Sequence, residues 1–212
     1  MIVEFTDIGR VGYLSALYTR SEIRATFSTR RSDGVQDNDR VVAWDVTWEK
    51  GKSTGMHRFD LDQVSVTLAE GAIKITQPDA TWSIEQERFG SVCYEPKGTV
   101  AEEKAVNDTP NRAMVCQLKD NVPDSWPTTP GVAGQFPPIN TAKLFETDRI
   151  TVWDQVWKPG ERVTRHARYH RTAAVFLGGG AICSISDSGA PTPPFTRKPG
   201  SDFHYQIQSR CS

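Results

Sequence analysis

The feature that most constrains the fold of this chain is a long internal repeat. The segment from Asp39 to Ile73 reads "DRVVAWDVTWEKGKSTGMHRFDLDQVSVTLAEGAI", and the segment from Asp148 to Ile182 reads "DRITVWDQVWKPGERVTRHARYHRTAAVFLGGGAI". The two align without a gap at a constant offset of 109 residues, and about a third of their positions are identical. This period is too long for a solenoid unit and suits a small domain, so the repeat predicts a duplicated domain.

Both copies have the pattern of β-strands. "RVVAWDVTW" and "RITVWDQVW" are rich in β-branched and aromatic residues, and turn residues follow each of them. The turns are "EKGK" and "KPGE", and Pro159-Gly160 suits the central positions of a type II turn. "VSVTL" and "AAVFL" predict the next strands. Short strands separated by turns, with no amphipathic helix of ten or more residues, predict an all-β sandwich or barrel.

Composition divides the chain into four regions. The segment 121–140 is rich in proline, glycine and small polar residues, which is typical of an extended connection. Within the first 37 residues, "SEIRATFSTR" alternates and predicts a strand that packs on a barrel. We therefore expect an N-terminal extension (1–37), a first barrel (38–120), a linker (121–146) and a second barrel (147–212).

Charge and hydropathy narrow the class of protein. The formal net charge is −1, so no basic footprint for nucleic acid is present. No apolar run approaches the ~20 residues that span a bilayer, and the first residues lack the basic start and apolar core of a signal peptide. The four cysteines have no CxxC spacing, which favours isolated thiols over a zinc site or a disulfide framework. We expect a soluble, cytoplasmic protein with no membrane partner.

The repeat resembles the first conserved motif of the cupin superfamily, in which a strand, a Pro-Gly-Glu turn, a histidine, a second strand and a glycine pair follow one another. The first copy also carries a segment similar to the second cupin motif, "GSVCYEPKGTVAEEKAVNDTPNR", in which Gly90, Pro96, Gly98 and Asn107 hold the motif positions. The resemblance implies two cupin-type β-barrels (double-stranded β-helices, or jelly rolls), the second shortened at its C-terminal end. Cupins include enzymes and binding modules, so the fold alone sets no activity.

In the first copy, most positions of the cupin metal ligands are changed. His57 matches the first histidine, whereas the second falls on Phe59 and the carboxylate on Gln63. The motif-two histidine falls on Glu103. A metal held by His57 and Glu103 is one interpretation, ligand binding by His57 and Gln63 is another, and a core histidine without ligand is the third.

The second copy offers a different set of polar side chains. His166 matches the first histidine, while Arg168 and Thr172 stand at the next two ligand positions. His170 shares strand parity with His166, and His204 lies in the degenerate second motif. A guanidinium pairs with a carboxylate through two parallel hydrogen bonds, so Arg168 with His166 and Thr172 predicts an anion site. A metal on His166, His170 and His204, or a solvated charged strand, are the alternatives.

The second copy also lacks a strand. The offset carries Glu103 onto Ser212, so nothing in copy two corresponds to "NRAMVCQLK" of copy one. An unpaired edge promotes association with other chains. We expect "SEIRATFSTR" or a second subunit, in a homodimer, to cover this edge.

Three functional hypotheses follow from these residues. One is a cupin-fold protein with a degenerate metal site that binds a small anionic molecule. The second is a metal-dependent, dioxygenase-like enzyme with iron, manganese, nickel or zinc on an atypical histidine site. The third is a packing or assembly role without ligand. No cofactor is certain from the sequence, and whether the chain is an enzyme stays open at this point.

Overall fold

The computed structural model describes residues 2–5, 31–120, 140–162, 172–183, 185, 189–197 and 203–206. These residues form β-strands and no helix. The strands are β1 (Ile2–Phe5), β2 (Arg31–Asp37), β3 (Val41–Trp48), β4 (His57–Arg58), β5 (Asp62–Ala69), β6 (Gly71–Thr76), β7 (Trp82–Glu87), β8 (Val92–Glu95), β9 (Val100–Ala105), β10 (Asn111–Leu118), β11 (Thr141–Glu146), β12 (Ile150–Gln155), β13 (Thr172–Val175), β14 (Gly180–Ile182), β15 (Phe195–Arg197) and β16 (Phe203–Gln206). The predicted all-β class is therefore confirmed for the described part of the chain. No described helix is long and apolar enough to cross a bilayer.

The chain divides into two compact units. One comprises residues 12–121, and it is called here the first unit. The other comprises residues 1–11 together with residues 122–212, and it is called the second unit.

The first unit is built from two antiparallel sheets. One has the strand order β2-β3-β10-β5-β8, and the other has the order β4-β9-β6-β7. Residues of both sheets meet in one apolar cluster, which includes Val46, Trp48, Val115, Ile73 and Ala105. The core of this unit therefore lies between the sheets, as in a sandwich or a flattened barrel.

The predicted turns of the two copies are confirmed and have matching geometry. In the first copy, Lys52 N donates to Glu49 O over 3.0 Å, and Gly51 has φ of 70°. In the second, Glu161 N donates to Lys158 O over 3.0 Å, and Gly160 has φ of 76°. A positive φ at the third turn position favours glycine, as a type II turn requires.

The sheet of the second unit has the order β11-β12-β1-β13-β16. Its central strand, β1, comes from the N-terminal end of the chain and pairs antiparallel with β12 and with β13. Ile2 lies opposite Trp153 on one side and opposite Ala174 on the other. A strand distant in sequence is thus inserted between the two strands of the second repeat copy.

The position of β1 corresponds residue for residue to that of β10 in the first unit. There, Val115 lies opposite Trp44 in β3 and opposite Ser65 in β5. The repeat offset carries Trp44 onto Trp153 and Ser65 onto Ala174, which are the two partners of Ile2. In the second unit, β1 therefore holds the position that β10 holds in the first, at the same register.

This pairing corrects the predicted cover of that edge. The strand that fills it is Ile2–Phe5, not "SEIRATFSTR", whose residues 21–30 lie outside the described residues. Between β12 and β13 the chain's own β1 pairs with both strands, and the predicted homodimer stays a prediction.

Two strands lie near the predicted domain boundaries. Arg31–Asp37, at the end of the predicted extension, pairs with β3 of the first unit. Thr141–Glu146, within the predicted linker, pairs with β12 of the second unit. The domain boundaries themselves stay predictions.

Candidate functional site

The first unit has a cavity, open to solvent, between its two sheets. Strand periodicity explains its lining, because alternate residues of a strand face the same side. Gln63, Ser65 and Thr67 of β5 all line the cavity. Glu85 and Glu87 of β7 line it from the second sheet.

The lining is acidic. Four glutamates contribute to it, and they lie on three different strands: Glu85, Glu87, Glu95 and Glu103. Glu103 is 4% exposed, and its Oε2 accepts a hydrogen bond from the indole Nε1 of Trp48 over 2.9 Å. The hydroxyl of Thr67 donates to Glu87. Strand geometry thus holds carboxylates at the cavity wall with polar donors beside them.

Arg112 is the one cationic residue of the described lining, and its guanidinium binds the carboxylate of Asp45. Its Nε donates to Asp45 Oδ1 over 2.8 Å, and its Nη2 donates to Asp45 Oδ2 over 2.6 Å. This hydrogen-bonded contact with Asp45 raises the pKa of Arg112. The fork geometry is that of a bidentate ion pair, so Asp45 neutralises Arg112.

Gln63 belongs to a chain of side-chain hydrogen bonds that ends at the cavity wall. Trp44 Nε1 donates to Gln117 Oε1 over 3.1 Å, and Gln117 Nε2 donates to Gln63 Oε1 over 3.4 Å. Gln63 Nε2 in turn donates to Glu95. The donors therefore all point toward a carboxylate at the cavity wall, which fixes the orientation of Gln63, a predicted ligand-binding residue.

Cys93 lies on the same wall, between the carboxylates. Burial, followed by the charges of Glu95, Glu85, Glu87 and Glu103, raises the pKa of its thiol to about 12. The free thiol is therefore neutral at physiological pH and is a poor nucleophile there.

Asn111 is the unusual residue of the cavity. Its side chain lines the cavity and is 2% exposed, yet neither Oδ1 nor Nδ2 has a hydrogen-bond partner among the described residues. An ideal Cβ on Gly71 would lie 1.8 Å from Asn111 Oδ1, so a glycine is needed there to leave room for the amide. Buried polar groups without partners are rare in native proteins and require an explanation.

His57, the first predicted ligand of copy one, lies on β4 opposite Ala101 and is not part of the cavity lining. Its Nδ1 lies 2.9 Å from Gly55 O, and its ring contacts Phe59 edge-on at 4.9 Å between centroids. Its Nε2 is buried without a hydrogen-bond partner in the described structure. The structure therefore brings Gln63 and Glu103 to one cavity and leaves His57 outside it.

The residues predicted for the second unit are described in part. Thr172 is 6% exposed and lies on β13, opposite Glu4 and Gln206. His204 lies on β16, opposite Ala174 of the same sheet. His166, Arg168 and His170 lie outside the described residues, so the anion and metal sites of this unit stay predictions.

A metal centre is not supported by the donors of the first unit. The positions that resemble the four cupin ligand positions are held there by His57, Phe59, Gln63 and Glu103. Within the described ranges, no three His, Cys, Asp or Glu side chains come together in a way that could hold a metal ion.

Sequence reasoning missed Glu85, Glu87, Glu95 and Asn111. The signal for Glu85 and Glu87 was the alternation in "WSIEQE", which places the acids on one face and Trp82 and Ile84 on the other. Apolar side chains normally mark the inner face of a strand, but here Trp82 and Ile84 are 59% and 49% exposed. No local signal identifies Asn111, because its environment depends on the approach of Gly71.

No protein-family model and no curated protein matches the chain. Among solved structures, a cupin domain from Bordetella pertussis is 23% identical, with 42% of this chain and 93% of that chain covered and a TM-score of 0.40. A cupin superfamily protein from Desulfitobacterium hafniense is 19% identical, with 43% and 78% covered and a TM-score of 0.36. The polyketide cyclase RemF from Streptomyces resistomycificus is 18% identical, with 42% and 67% covered and a TM-score of 0.37. Each of these similarities covers less than half of the chain.

Proposed function

We propose that this chain is a cupin-type protein whose first unit binds a small molecule between its two sheets. The observation that carries the proposal is Asn111, a buried amide without a partner among the described residues, at the wall of this solvent-open cavity. An unsatisfied buried polar group costs about 1–3 kcal/mol, and a bound ligand offers the missing partner. Small-molecule sites combine apolar wall residues with placed polar groups, and this cavity has both, with polar residues in the majority.

The cupin assignment is supported by the motif residues and by the repeat. Both copies form the same turn, and in each unit a five-stranded sheet has the copy's strands in equivalent order. We include in the proposal that the two units are copies of one barrel and that β1 completes the second copy. The exchange of β10 for β1 at the same register is what supports this part.

We propose that the second unit binds an anionic ligand through Arg168, with His166 and Thr172 beside it. Thr172 is buried on β13, which lies between β1 and β16, and its hydroxyl is a donor of the kind that a carboxylate accepts. If Arg168 serves this role, stabilisation of the protein by small carboxylates disappears in Arg168→Ala. Unchanged stabilisation in that variant would refute the role of the arginine.

A metal-dependent enzyme remains the second candidate, through His166, His170 and His204. The observation that favours it is the pairing of β16 with β13, which places His204 in the same sheet as Thr172. Elemental analysis of the purified protein tests it. Near-stoichiometric iron, manganese, nickel or zinc that is lost in His166→Ala supports the metal site, whereas metal-free, folded protein argues against it.

The small-molecule proposal for the first unit is tested by nuclear magnetic resonance on the whole chain. The indole N–H of Trp48 reports on the cavity because it donates to Glu103 at the wall. A fragment mixture that contains cations, anions and neutral molecules is expected to shift this resonance and to raise the unfolding temperature. A Trp48 resonance that no fragment of any charge moves would overturn the proposal.

A further inference from the structure

The charges that line the cavity of the first unit are predominantly negative. Four glutamates face one arginine, and Asp45 binds that arginine through both of its carboxylate oxygens. We propose that this cavity binds a small organic cation, an ammonium or guanidinium group on a short apolar stem. This inference rests on the proposed function, since it names the chemical class of the ligand in the same cavity.

The unpartnered amide of Asn111 points independently to such a ligand. Its Oδ1 is an acceptor, and an ammonium or guanidinium group carries several N–H donors and no acceptor. The residue is 2% exposed, so bulk water does not replace the missing partner as it does at a surface. Its Nδ2 is also without a partner, which favours a ligand that carries a hydroxyl beside the cationic group.

The distribution of the carboxylates favours an organic cation over a metal ion. A hard metal ion needs several oxygen ligands at one point. Here the acids are spread over β7, β8 and β9, and no three described acidic, histidine or cysteine side chains converge. Apolar wall residues, Ile73, Ile75 and Val115, lie in the same lining and suit the carbon stem of an amine.

The raised pKa of the Cys93 thiol indicates that the electrostatic potential at this wall of the cavity is negative. After burial, the causes that raise its pKa are the charges of four glutamates of the lining. The same carboxylates that disfavour a thiolate at this position favour a positive charge.

The test is a titration of the full chain with four probes that share a four-carbon stem: 4-amino-1-butanol, butylamine, butyrate and 1-butanol. Binding is followed by the indole N–H of Trp48, assigned with Trp48→Phe, and by the unfolding temperature. We expect the two amines to move the Trp48 resonance and to bind at least about ten-fold more tightly than butyrate, because the carboxylates of the wall attract a cation and repel an anion.

The second arm removes charge from the wall. The double variant Glu85→Gln/Glu87→Gln neutralises the two carboxylates of the edge strand β7 and preserves side-chain size. It is expected to weaken amine binding at least about ten-fold, whereas Glu49→Gln, an exposed glutamate in the turn after β3, leaves binding unchanged. Far-ultraviolet circular dichroism and the unfolding temperature confirm that each variant is folded.

The outcomes separate the two proposals. Binding of butyrate or butanol at the Trp48 resonance without binding of the amines overturns the cationic ligand and leaves the small-molecule cavity standing. Amine binding that persists undiminished in Glu85→Gln/Glu87→Gln also overturns the cationic site. A Trp48 resonance unmoved by all four probes overturns the cationic site as well, and the fragment mixture then decides whether the cavity binds any small molecule.

Discussion

Gly71 and Asn111 fit each other at the wall of the cavity, since a Cβ on Gly71 would lie 1.8 Å from Asn111 Oδ1. Real Cβ atoms do not approach so closely, so the asparagine side chain must move if Gly71 gains a methyl group. The backbone of Gly71 therefore limits where the unpartnered amide of Asn111 can lie.

Gly71→Ala is expected to destabilise the protein by about 1–3 kcal/mol, the usual cost of overpacking a core, and to weaken ligand binding in the first unit. Chemical denaturation and the Trp48 titration measure the two effects. Gly180→Ala is the matched control because Gly180 is the repeat equivalent and a Cβ there meets nothing within 4 Å. Equal losses in both variants would contradict the fit described for Gly71.

Asn111→Leu is expected to raise the free energy of unfolding by about 1 kcal/mol, because it replaces an unsatisfied buried amide with an apolar group of similar size. The same change should abolish ligand binding in the cavity, which is the usual cost of stabilising a functional site. Thermal and urea unfolding give the first quantity and the Trp48 titration gives the second.

Gln117→Leu serves as the control for that variant. Gln117 is on the same strand and 4% exposed, but it accepts from Trp44 and donates to Gln63. Its replacement leaves those partners unsatisfied and should destabilise the protein. If Asn111→Leu were as destabilising as Gln117→Leu, the amide of Asn111 would have to be satisfied in the free protein.

Cys93 and Cys116 are expected to resist alkylation in the native protein, whereas the exposed Cys183 reacts. Burial raises the pKa of both thiols to about 12, so both are protonated at pH 8, where iodoacetamide reacts with thiolates. Iodoacetamide treatment followed by peptide mass spectrometry measures the three rates separately. A Cys93 rate similar to that of Cys183 would contradict the acidic, buried environment of the cavity wall.

Ionisation of the same two thiols is expected to lower the stability of the protein at alkaline pH. Their folded pKa lies above the unfolded value of 9.0, so their contribution to stability is present below pH 9 and is lost as the pH rises toward 12. Urea unfolding at pH 8 and at pH 10.5 checks this direction, and Cys116→Val should reduce the loss.

Val3→Pro is expected to open the second unit and leave the first intact. Val3 lies in β1 between Val152 and Ala173, and a proline there removes a backbone donor from a central strand. Hydrogen exchange should accelerate at least about ten-fold in β12 and β13, with no change in β3. Val3→Thr, which retains the N–H and the β-branched shape, is the control, and unchanged protection in the proline variant would contradict the central position of β1.

The sequence predicted the strands and turns of the repeat well, because these depend on local patterns. β-Branched residues from Val41 to Trp48 and a glycine at each turn specify their own conformations. The inner face of β7 was not predictable, because its apolar residues face outward and its acids face the cavity. Which face of an edge strand is buried depends on the elements that pack against it. The alternation of polar and apolar residues alone does not identify that face.

The partner of β12 and β13 was not predictable for a different reason. In the first unit, the strand between β3 and β5 follows both of them in the sequence, whereas the strand between β12 and β13 is a four-residue segment that precedes both. Such a short strand has no periodic signal of its own, and its identity follows from a register that spans about 150 residues of sequence.

The place of β1 has a consequence for how the polypeptide is made. Ribosomes add residues from the N-terminus at about 5–20 per second, so Ile2–Phe5 emerge well before their neighbours in β12 and β13 exist. The first unit can be translated and folded in full while the nascent β1 is still without its sheet. Until synthesis has passed Val175, this four-residue segment is an unpaired strand available to chaperones or to a neighbouring nascent chain.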